Sequence, residues 1–193
     1  MKPASNSGLS RVKRYLLGIP EPVLRREQFI FGAELHSLWL EGTREEEMSE
    51  ADEELLLTMY DSLVNSPAQE YVEHAHAQLE LEIKKKLYDV PCLGYLDIFN
   101  KHTGVGGIIA DLKTTSTNSP EQFLHSCILY DYFRQAYFYQ RLTGVEDFVF
   151  IAVSKVFPHR VHMLHVKDHP RQMFAAKQEF EFLLYYYGKH HAV

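Results

Sequence analysis

The amino-acid sequence predicts an α/β (α+β) fold in which a central mixed β-sheet is flanked by helices. Segments with apolar residues at helical spacing lie towards both ends of the chain, and segments with alternating or continuous apolar residues lie between and among them. The predicted order is three helices, three strands, a helix pair, two strands and a helix. Such an order is typical of a sheet covered by helices.

The first part of the chain is predicted to be helical. Segment 27–40 has apolar residues at helical spacing, which places His36 on a helix. Segment 49–65 opens with Ser-Glu-Ala-Asp, a pattern typical of a capping box, and continues with apolar residues at helical spacing. Ser66 and Pro67 predict a third helix, with Ser66 as its N-cap and Pro67 at its first position.

A strand hairpin and a third strand follow. From Leu79 onward, apolar residues alternate with Glu80, Glu82 and Lys84, which is typical of a half-buried strand. A second strand is predicted over 92–99. The glycine-rich stretch NKHTGVGG then predicts a hairpin loop that leads into the third strand, GIIADLKT.

The rest of the chain completes the sheet and its helical cover. Helical patterning resumes after Ser119-Pro120 and continues to Leu142, with Gly144 as the expected C-terminal stop. The continuous apolar run 148–153 predicts a buried strand. A further strand is predicted over 161–166, followed by a closing helix over 168–187 that Gly188 is expected to end.

Length and composition fit one domain over 1–193 and exclude several classes of protein. No segment reaches the roughly 18 consecutive apolar residues of a membrane span, and the polar N-terminus lacks a signal region, so we expect a cytoplasmic protein. Two cysteines are too few for a disulfide framework, a four-thiolate zinc site or a four-cysteine iron–sulfur cluster. The net charge of −6 does not exclude a nucleic-acid partner, because the acidic residues concentrate in 41–54.

The residues that indicate chemistry lie on the second and third predicted strands. Asp97 is on one strand, and Asp111 and Lys113 are two residues apart on the next, so the last two point to the same face. Carboxylates are the ligands that Mg²⁺ and Mn²⁺ prefer, and the Leu112 carbonyl between them is a further candidate ligand. Such a metal activates a bound water, and a nearby lysine stabilises negative charge on a phosphate.

The alternative is a structural ion pair between neighbouring strands, since Asp-x-Lys is a common surface pattern. One detail favours the metal site. Asp111 interrupts the apolar run of the third strand, so its carboxylate lies at the edge of a buried strand. A charge in such a place is costly unless it is paired or bound to a metal.

These residues also carry a family resemblance. Asp97 followed by Asp111-Leu112-Lys113 resembles the metal-binding signature of the PD-(D/E)XK nuclease superfamily. FGAELH, ending at His36, resembles the glycine-to-histidine motif of the RecB-like and RecE-like branch, which implies His36 as a further metal ligand. QAYFY, with Gln135 and Tyr139, resembles the Gln-x-x-x-Tyr motif of the same branch, which implies that both residues lie near the DNA.

The resemblance extends over nearly the whole chain and is closest to phage and prophage RecE-type exonucleases (exonuclease VIII). It implies a Mg²⁺-dependent exodeoxyribonuclease, with Mn²⁺ as a substitute, that digests DNA from duplex ends in phage-type recombination. It also implies a homo-oligomer and a single-strand annealing protein as a partner, and no iron–sulfur cluster. Two positions depart from the superfamily pattern: Leu96 stands where the signature proline would, and residue 111 is Asp rather than Glu.

Several residues have two interpretations. His36 is either a metal ligand or a core histidine, and Gln135 and Tyr139 either orient a phosphate or satisfy buried backbone. Thr114 either binds a phosphate or reflects the β-propensity of threonine. Glu80 and Glu82 are expected to be solvated, although one of them would be a metal ligand if the site extends to the first strand. For the whole chain, the alternatives are an endonuclease on the same fold and a non-catalytic DNA-binding or assembly module.

Overall fold

The computed structural model describes residues 2–22, 26–74, 77–100 and 107–190, and five strands among them form one mixed sheet. The strands lie in sheet order β1 (Ala77–Leu87), β2 (Val90–Asn100), β3 (Ile108–Thr115), β4 (Asp147–Ser154) and β5 (Val161–His165). Neighbouring strands are antiparallel except β3 and β4, which are parallel because a helical crossover separates them. The predicted mixed sheet flanked by helices is confirmed.

Seven α-helices are described: α1 (Asn6–Leu17), α2 (Arg26–Glu41), α3 (Glu50–Val64), α4 (Gln69–Glu73), α5 (Pro120–Leu129), α6 (Tyr132–Thr143) and α7 (Pro170–His190). The predicted cap at Ser49 is confirmed, since its side chain accepts the Asp52 N–H. Helix α1 was not predicted, although Ser5 caps its start and Gly18 ends it in the left-handed conformation. No helix of the described residues is both long and apolar enough to cross a membrane.

Two predicted helix ends are wrong. Helix α4 begins at Gln69 rather than after Ser66, because the Ser66 hydroxyl donates back to the Leu63 carbonyl of α3 and the chain turns before the helix starts. Gly188 does not end the closing helix. A Cβ there would lie 2.8 Å from a methyl group of Val90, so the glycine allows α7 to pack closely against β2. The predicted hairpin loop at 101–106 lies outside the described residues.

The sheet separates two apolar cores. One lies under α1, α5, α6 and α7 and includes Phe148 and Phe150 of β4. The other lies under α2 and α3 and includes Val149 and Ile151 of the same strand. Strand β4 is therefore buried on both faces, as its continuous apolar run predicts.

Strands β2 and β3 part in the middle of the sheet. They pair only from Ile98 opposite Ala110 to Asn100 opposite Ile108, and the next pair would place Asp97 opposite Asp111. Before that point β2 pairs with β1 on one side, and a single parallel bridge joins its Cys92 to Ala4 on the other. The second half of β3 therefore has β4 on one side and a free edge on the other, which faces an open cleft.

The parting coincides with a local change in backbone conformation. Glu80 of β1 has a positive φ of 49°, and it faces Asp97 at the one position missing from the β1–β2 ladder. Around this position the strands change faces: Leu96 contributes to the core under α6 and α7, whereas Ile98 contributes to the core under α2 and α3. In a regular strand, residues two apart share a face. The change therefore turns Glu80 and Asp97 towards the cleft.

Candidate active site

Three side chains from different elements meet at the parting of β2 and β3. The potential ligand atoms of His36 on α2, Glu80 on β1 and Asp97 on β2 all lie within 4.8 Å of one another. His36 Nε2 is 3.2 Å from Asp97 Oδ2, and His36 Nδ1 is 3.6 Å from Glu80 Oε1. The structure thus brings together two residues predicted for the site and one that was expected to be solvated.

The backbone of Leu112 completes this cluster. Its N–H donates to Asp97 Oδ2 at 2.7 Å, so the Asp97 side chain occupies the place that the next backbone pair of β2 and β3 would take. The Leu112 carbonyl oxygen lies 3.1 Å from His36 Nε2. The predicted role of this carbonyl as a ligand is compatible with its position at the free edge of β3.

Asp111 and Lys113 lie beside the cluster, on the face of β3 that α6 covers. Their side chains form an ion pair, and Gln135 of α6 donates to Asp111 Oδ1 at 2.7 Å. Asp111 is only 2% exposed. The Lys113 ammonium also lies 5.1 Å from the centre of the Tyr132 ring. Gln135 thus holds Oδ1 of Asp111, and the Lys113 ammonium faces its Oδ2.

The remaining predicted residues take different positions. Tyr139 is buried one helical turn from Gln135, behind the site rather than in the cleft, and burial is the main cause that raises the pKa of its hydroxyl. Thr114 lines the cleft, which has a volume of about 580 Å³. Glu82 is turned away from the site and contacts Lys84 and the Tyr95 hydroxyl. Both glutamates are exposed, as expected, but Glu80 also lies within reach of His36 and Asp97.

The site shifts the pKa values of its own groups. Burial disfavours the charged imidazole of His36, but the Asp97 carboxylate, then Glu80, outweigh it and raise the pKa of His36 to about 9. Burial, followed by repulsion from Asp111, raises the pKa of Asp97 to about 7. Burial also opposes the charge of Lys113, yet Asp111 and Asp97 raise its pKa above the usual value. The shifts of all three groups reflect the close approach of carboxylates and cations in a largely buried site.

The donor set fits a divalent cation. It offers two carboxylates, one backbone carbonyl and one imidazole nitrogen, and Mg²⁺ and Mn²⁺ prefer oxygen ligands, with imidazole suited to transition metals. A ligating nitrogen of His36 must first lose its proton, so a cation and a proton compete for this residue.

For Glu80 the sequence left two interpretations open, a solvated side chain and a metal ligand, and the structure places it beside His36 and Asp97. Its alternation with Leu79 and Leu81 predicts an outward side chain, but alternation holds only while the backbone remains extended. The register of the β1–β2 hairpin could have indicated the position of Glu80. Tyr88 and Asp89 form a two-residue turn, and counting back from it places Glu80 opposite Asp97.

Comparisons with known proteins identify the fold and the family of this chain. A solved structure of a candidate exonuclease from Eubacterium rectale aligns over 94% of this chain and 78% of its own, with a TM-score of 0.66 and 15% identity, which shows a shared fold. A second structure, of the protein SSO0001, covers 90% of this chain and 84% of its own with a TM-score of 0.38 and 11% identity. No curated protein matches the sequence. Residues 14–187 match the family described as a PDDEXK-like domain of unknown function (DUF3799), and the chain therefore belongs to that family.

Proposed function

We propose that this protein is a divalent-metal-dependent deoxyribonuclease, and more narrowly an exonuclease that hydrolyses DNA from duplex ends. One observation carries the proposal: a free strand edge brings His36, Glu80, Asp97 and the Leu112 carbonyl next to the Asp111–Lys113 pair. Phosphodiester hydrolysis needs this combination of hard ligands and a nearby cation.

The proposed roles follow from the positions of the side chains. His36, Asp97, Asp111 and the Leu112 carbonyl hold Mg²⁺ or Mn²⁺, with Glu80 as an additional ligand. When bound, the metal lowers the pKa of a water molecule and shields negative charge on the phosphate. Lys113 orients that water, and Gln135 holds Asp111 in place through its hydrogen bond. Tyr139 supports Gln135 from behind, and Thr114 contacts the DNA from the wall of the cleft.

The finer parts of the proposal rest on sequence resemblance. The motifs around His36 and Gln135 resemble those of the RecB-like and RecE-like branch, and the segments DLKTT, YDYFRQAYFY and FVFIAVSKVFP resemble RecE-type exonucleases. The E. rectale protein of the same fold is described as a candidate exonuclease. We extend the proposal accordingly to a single nuclease domain over 1–193, a role in phage-type recombination in the cytoplasm, a homo-oligomer and a single-strand annealing partner.

The test compares two DNA topologies. We would incubate the protein with end-labelled linear duplex and with closed circular duplex, in Mg²⁺, in Mn²⁺ and in chelator. We expect loss of the linear DNA alone, and none in chelator. Cutting of the circle would favour the endonuclease alternative. No cleavage in any metal, together with no metal-dependent rise in melting temperature, would contradict the proposal and favour a non-catalytic module.

Glu80 and Glu82 form a matched pair for testing the extended ligand set. Glu80→Gln removes a charged oxygen ligand from the cluster, whereas Glu82→Gln changes an outward residue on the same strand. We expect the Mg²⁺ concentration for half-maximal cleavage to rise about 10-fold or more in Glu80→Gln and to stay unchanged in Glu82→Gln. Equal metal dependence of the two variants would exclude Glu80 from the metal site.

A further inference from the structure

The turn between β4 and β5 presents an aromatic ring to solvent. Phe157 is 83% exposed, the largest value for a large hydrophobic side chain among the described residues, and the neighbouring Val156 is 47% exposed. An exposed phenylalanine gains nothing from the hydrophobic effect in the isolated protein. The His159 ring lies edge-on to it with the ring centroids 6.1 Å apart, and most of the Phe157 ring surface remains accessible to a ligand.

Several hydrogen bonds fix the backbone of the turn that carries this ring. The Asn118 side-chain amide donates to the carbonyl oxygens of Val156 and Phe157 at 2.9 and 2.8 Å, and its oxygen accepts the Arg160 N–H at 3.2 Å. Buried Ser154 accepts the Val156 N–H through its hydroxyl, and its carbonyl contacts the His159 ring at 3.0 Å. Because both ends of the turn are fixed, an incoming ligand meets a ring whose backbone has little entropy left to lose.

The turn adjoins the candidate active site. The Lys155 N–H donates to the Thr115 carbonyl at 2.7 Å, and Thr115 follows Lys113 by two residues, roughly 7 Å along β3. The Lys155 ammonium lies 4.1 Å from the centre of the Phe31 ring, and Phe31 precedes Gly32 in the wall of the cleft. A strand of nucleic acid bound at Lys113 and Thr114 would reach this turn within a few nucleotides.

The charge of the turn matches a polyanion. Residues 154–162 contain Lys155, Arg160 and two histidines, and no acidic residue. The chain as a whole carries a net charge of −6, so this segment is more basic than the chain. From neighbouring elements, Asp52 acts on Lys155 and Glu121 acts on His162. Aromatic rings next to cations are typical of surfaces that bind single-stranded nucleic acid, where the ring stacks on a base and the cations contact phosphates.

We propose that Phe157 stacks on an unpaired base of the DNA strand that enters or leaves the cleft, and that Lys155 and Arg160 contact the adjoining phosphates. This inference rests on the proposed nuclease function and adds to it a second DNA contact outside the metal site. The ring sets how the strand is held and takes no part in the chemistry. Its loss should therefore weaken DNA binding and leave the turnover rate unchanged.

The test uses Phe157→Trp as a reporter. The only native tryptophan, Trp39, is 4% exposed, so a change in emission on DNA binding would come from the new side chain. We would titrate this variant with an oligonucleotide duplex that carries a single-stranded overhang, in Ca²⁺ as a cation chosen to slow cleavage. We expect quenching of the tryptophan emission, and a smaller response to a blunt duplex.

Two further variants separate stacking from general apolar contact. We expect Phe157→Ala and Phe157→Leu each to raise KM for the overhang substrate on the order of 10-fold, with kcat and melting temperature unchanged. Phe182→Ala is the control, because Phe182 is 58% exposed on α7 and belongs to no part of the turn. Since leucine keeps the apolar surface and loses the ring, a loss in both variants points to stacking.

Other outcomes would overturn the inference in distinct ways. Wild-type KM in Phe157→Ala and unquenched emission in Phe157→Trp, with active cleavage, would reject the stacking role and leave the nuclease proposal standing. A change of oligomeric state in Phe157→Ala, with unchanged DNA binding, would reassign the ring to a protein contact. Absence of both cleavage and DNA binding in the wild type would reject the proposed function and this inference together.

Discussion

Replacing Lys113 with methionine is expected to lower kcat for DNA cleavage by about 10²- to 10³-fold or more. The substitution removes the one ammonium that the structure places against Asp111 in the cleft, and with it the group proposed to orient water and stabilise the phosphate. Methionine retains most of the length of the side chain, so packing against Tyr132 is largely preserved. Single-turnover cleavage of end-labelled duplex at saturating Mg²⁺ measures the effect.

The control for this variant is Lys167→Met. Lys167 pairs with Asp147 at the surface and lies outside the cleft, so its loss should leave kcat unchanged. Because Lys113→Met leaves Asp111 buried without its cation, the melting temperature of both variants must be compared in parallel. Near wild-type cleavage by folded Lys113→Met would exclude the lysine from the chemistry.

Replacing Arg134 with methionine is expected to destabilise the protein by about 3 kcal/mol. Arg134 is 2% exposed and joins three helices: its guanidinium lies 2.6 Å from Glu179 of α7 and 3.3 Å from Asp131, and it also donates to Ser10 of α1. Without it, the partly buried carboxylates of Asp131 and Glu179 keep Lys13 as their one cationic partner among the described residues. Urea unfolding, monitored by the emission of Trp39, measures the loss of free energy.

Arg141→Met provides the comparison on the same helix. Its side chain is exposed near the end of α6, and its loss should change the free energy of unfolding by less than about 0.5 kcal/mol. An equal effect of the two substitutions would show that the buried ion pairs contribute no more than an ordinary surface charge. Gln135 follows Arg134 on α6 and donates to Asp111. If Arg134→Met loosens α6, this hydrogen bond weakens too, so we also expect slower DNA cleavage by this variant at urea concentrations near its unfolding midpoint.

The sequence predicted most of the fold because its strands and helices keep regular apolar periods. The run 148–153 and the helices at 27–40 and 49–65 are found as predicted. Helix α1 was missed because its residues are mostly polar and it packs through a few apolar side chains, Leu9 and Val12 among them. The two wrong helix ends have the same cause. In the sequence, Ser66 looks like an N-cap and Gly188 looks like a C-terminal stop. In the structure, the Ser66 hydroxyl donates to the preceding helix, and Gly188 is required by close packing against Val90.

The site was predictable where motif and strand face agree, as for Asp97, Asp111 and Lys113, and their roles stay predictions until cleavage is measured. For Glu80 the sequence left the solvated and the ligand interpretations open, because periodicity does not reveal a residue with positive φ. The role of Arg134 in joining the helices could not be predicted from the sequence either. Its partners Glu179 and Asn6 lie far from it in the sequence, and only the packing of α1 and α7 on α6 brings them together.

The pairing of Glu80 with Asp97 limits how this chain can change over evolutionary time. The two residues face each other only because equal numbers of residues separate each from the Tyr88–Asp89 turn. Additions at the tip of the hairpin leave that count balanced, so related chains can tolerate longer turns there. A single insertion or deletion within either arm shifts one carboxylate to the opposite face of the sheet. Insertions and deletions in related chains should therefore occur at the tip of the hairpin and be rare within its two strands.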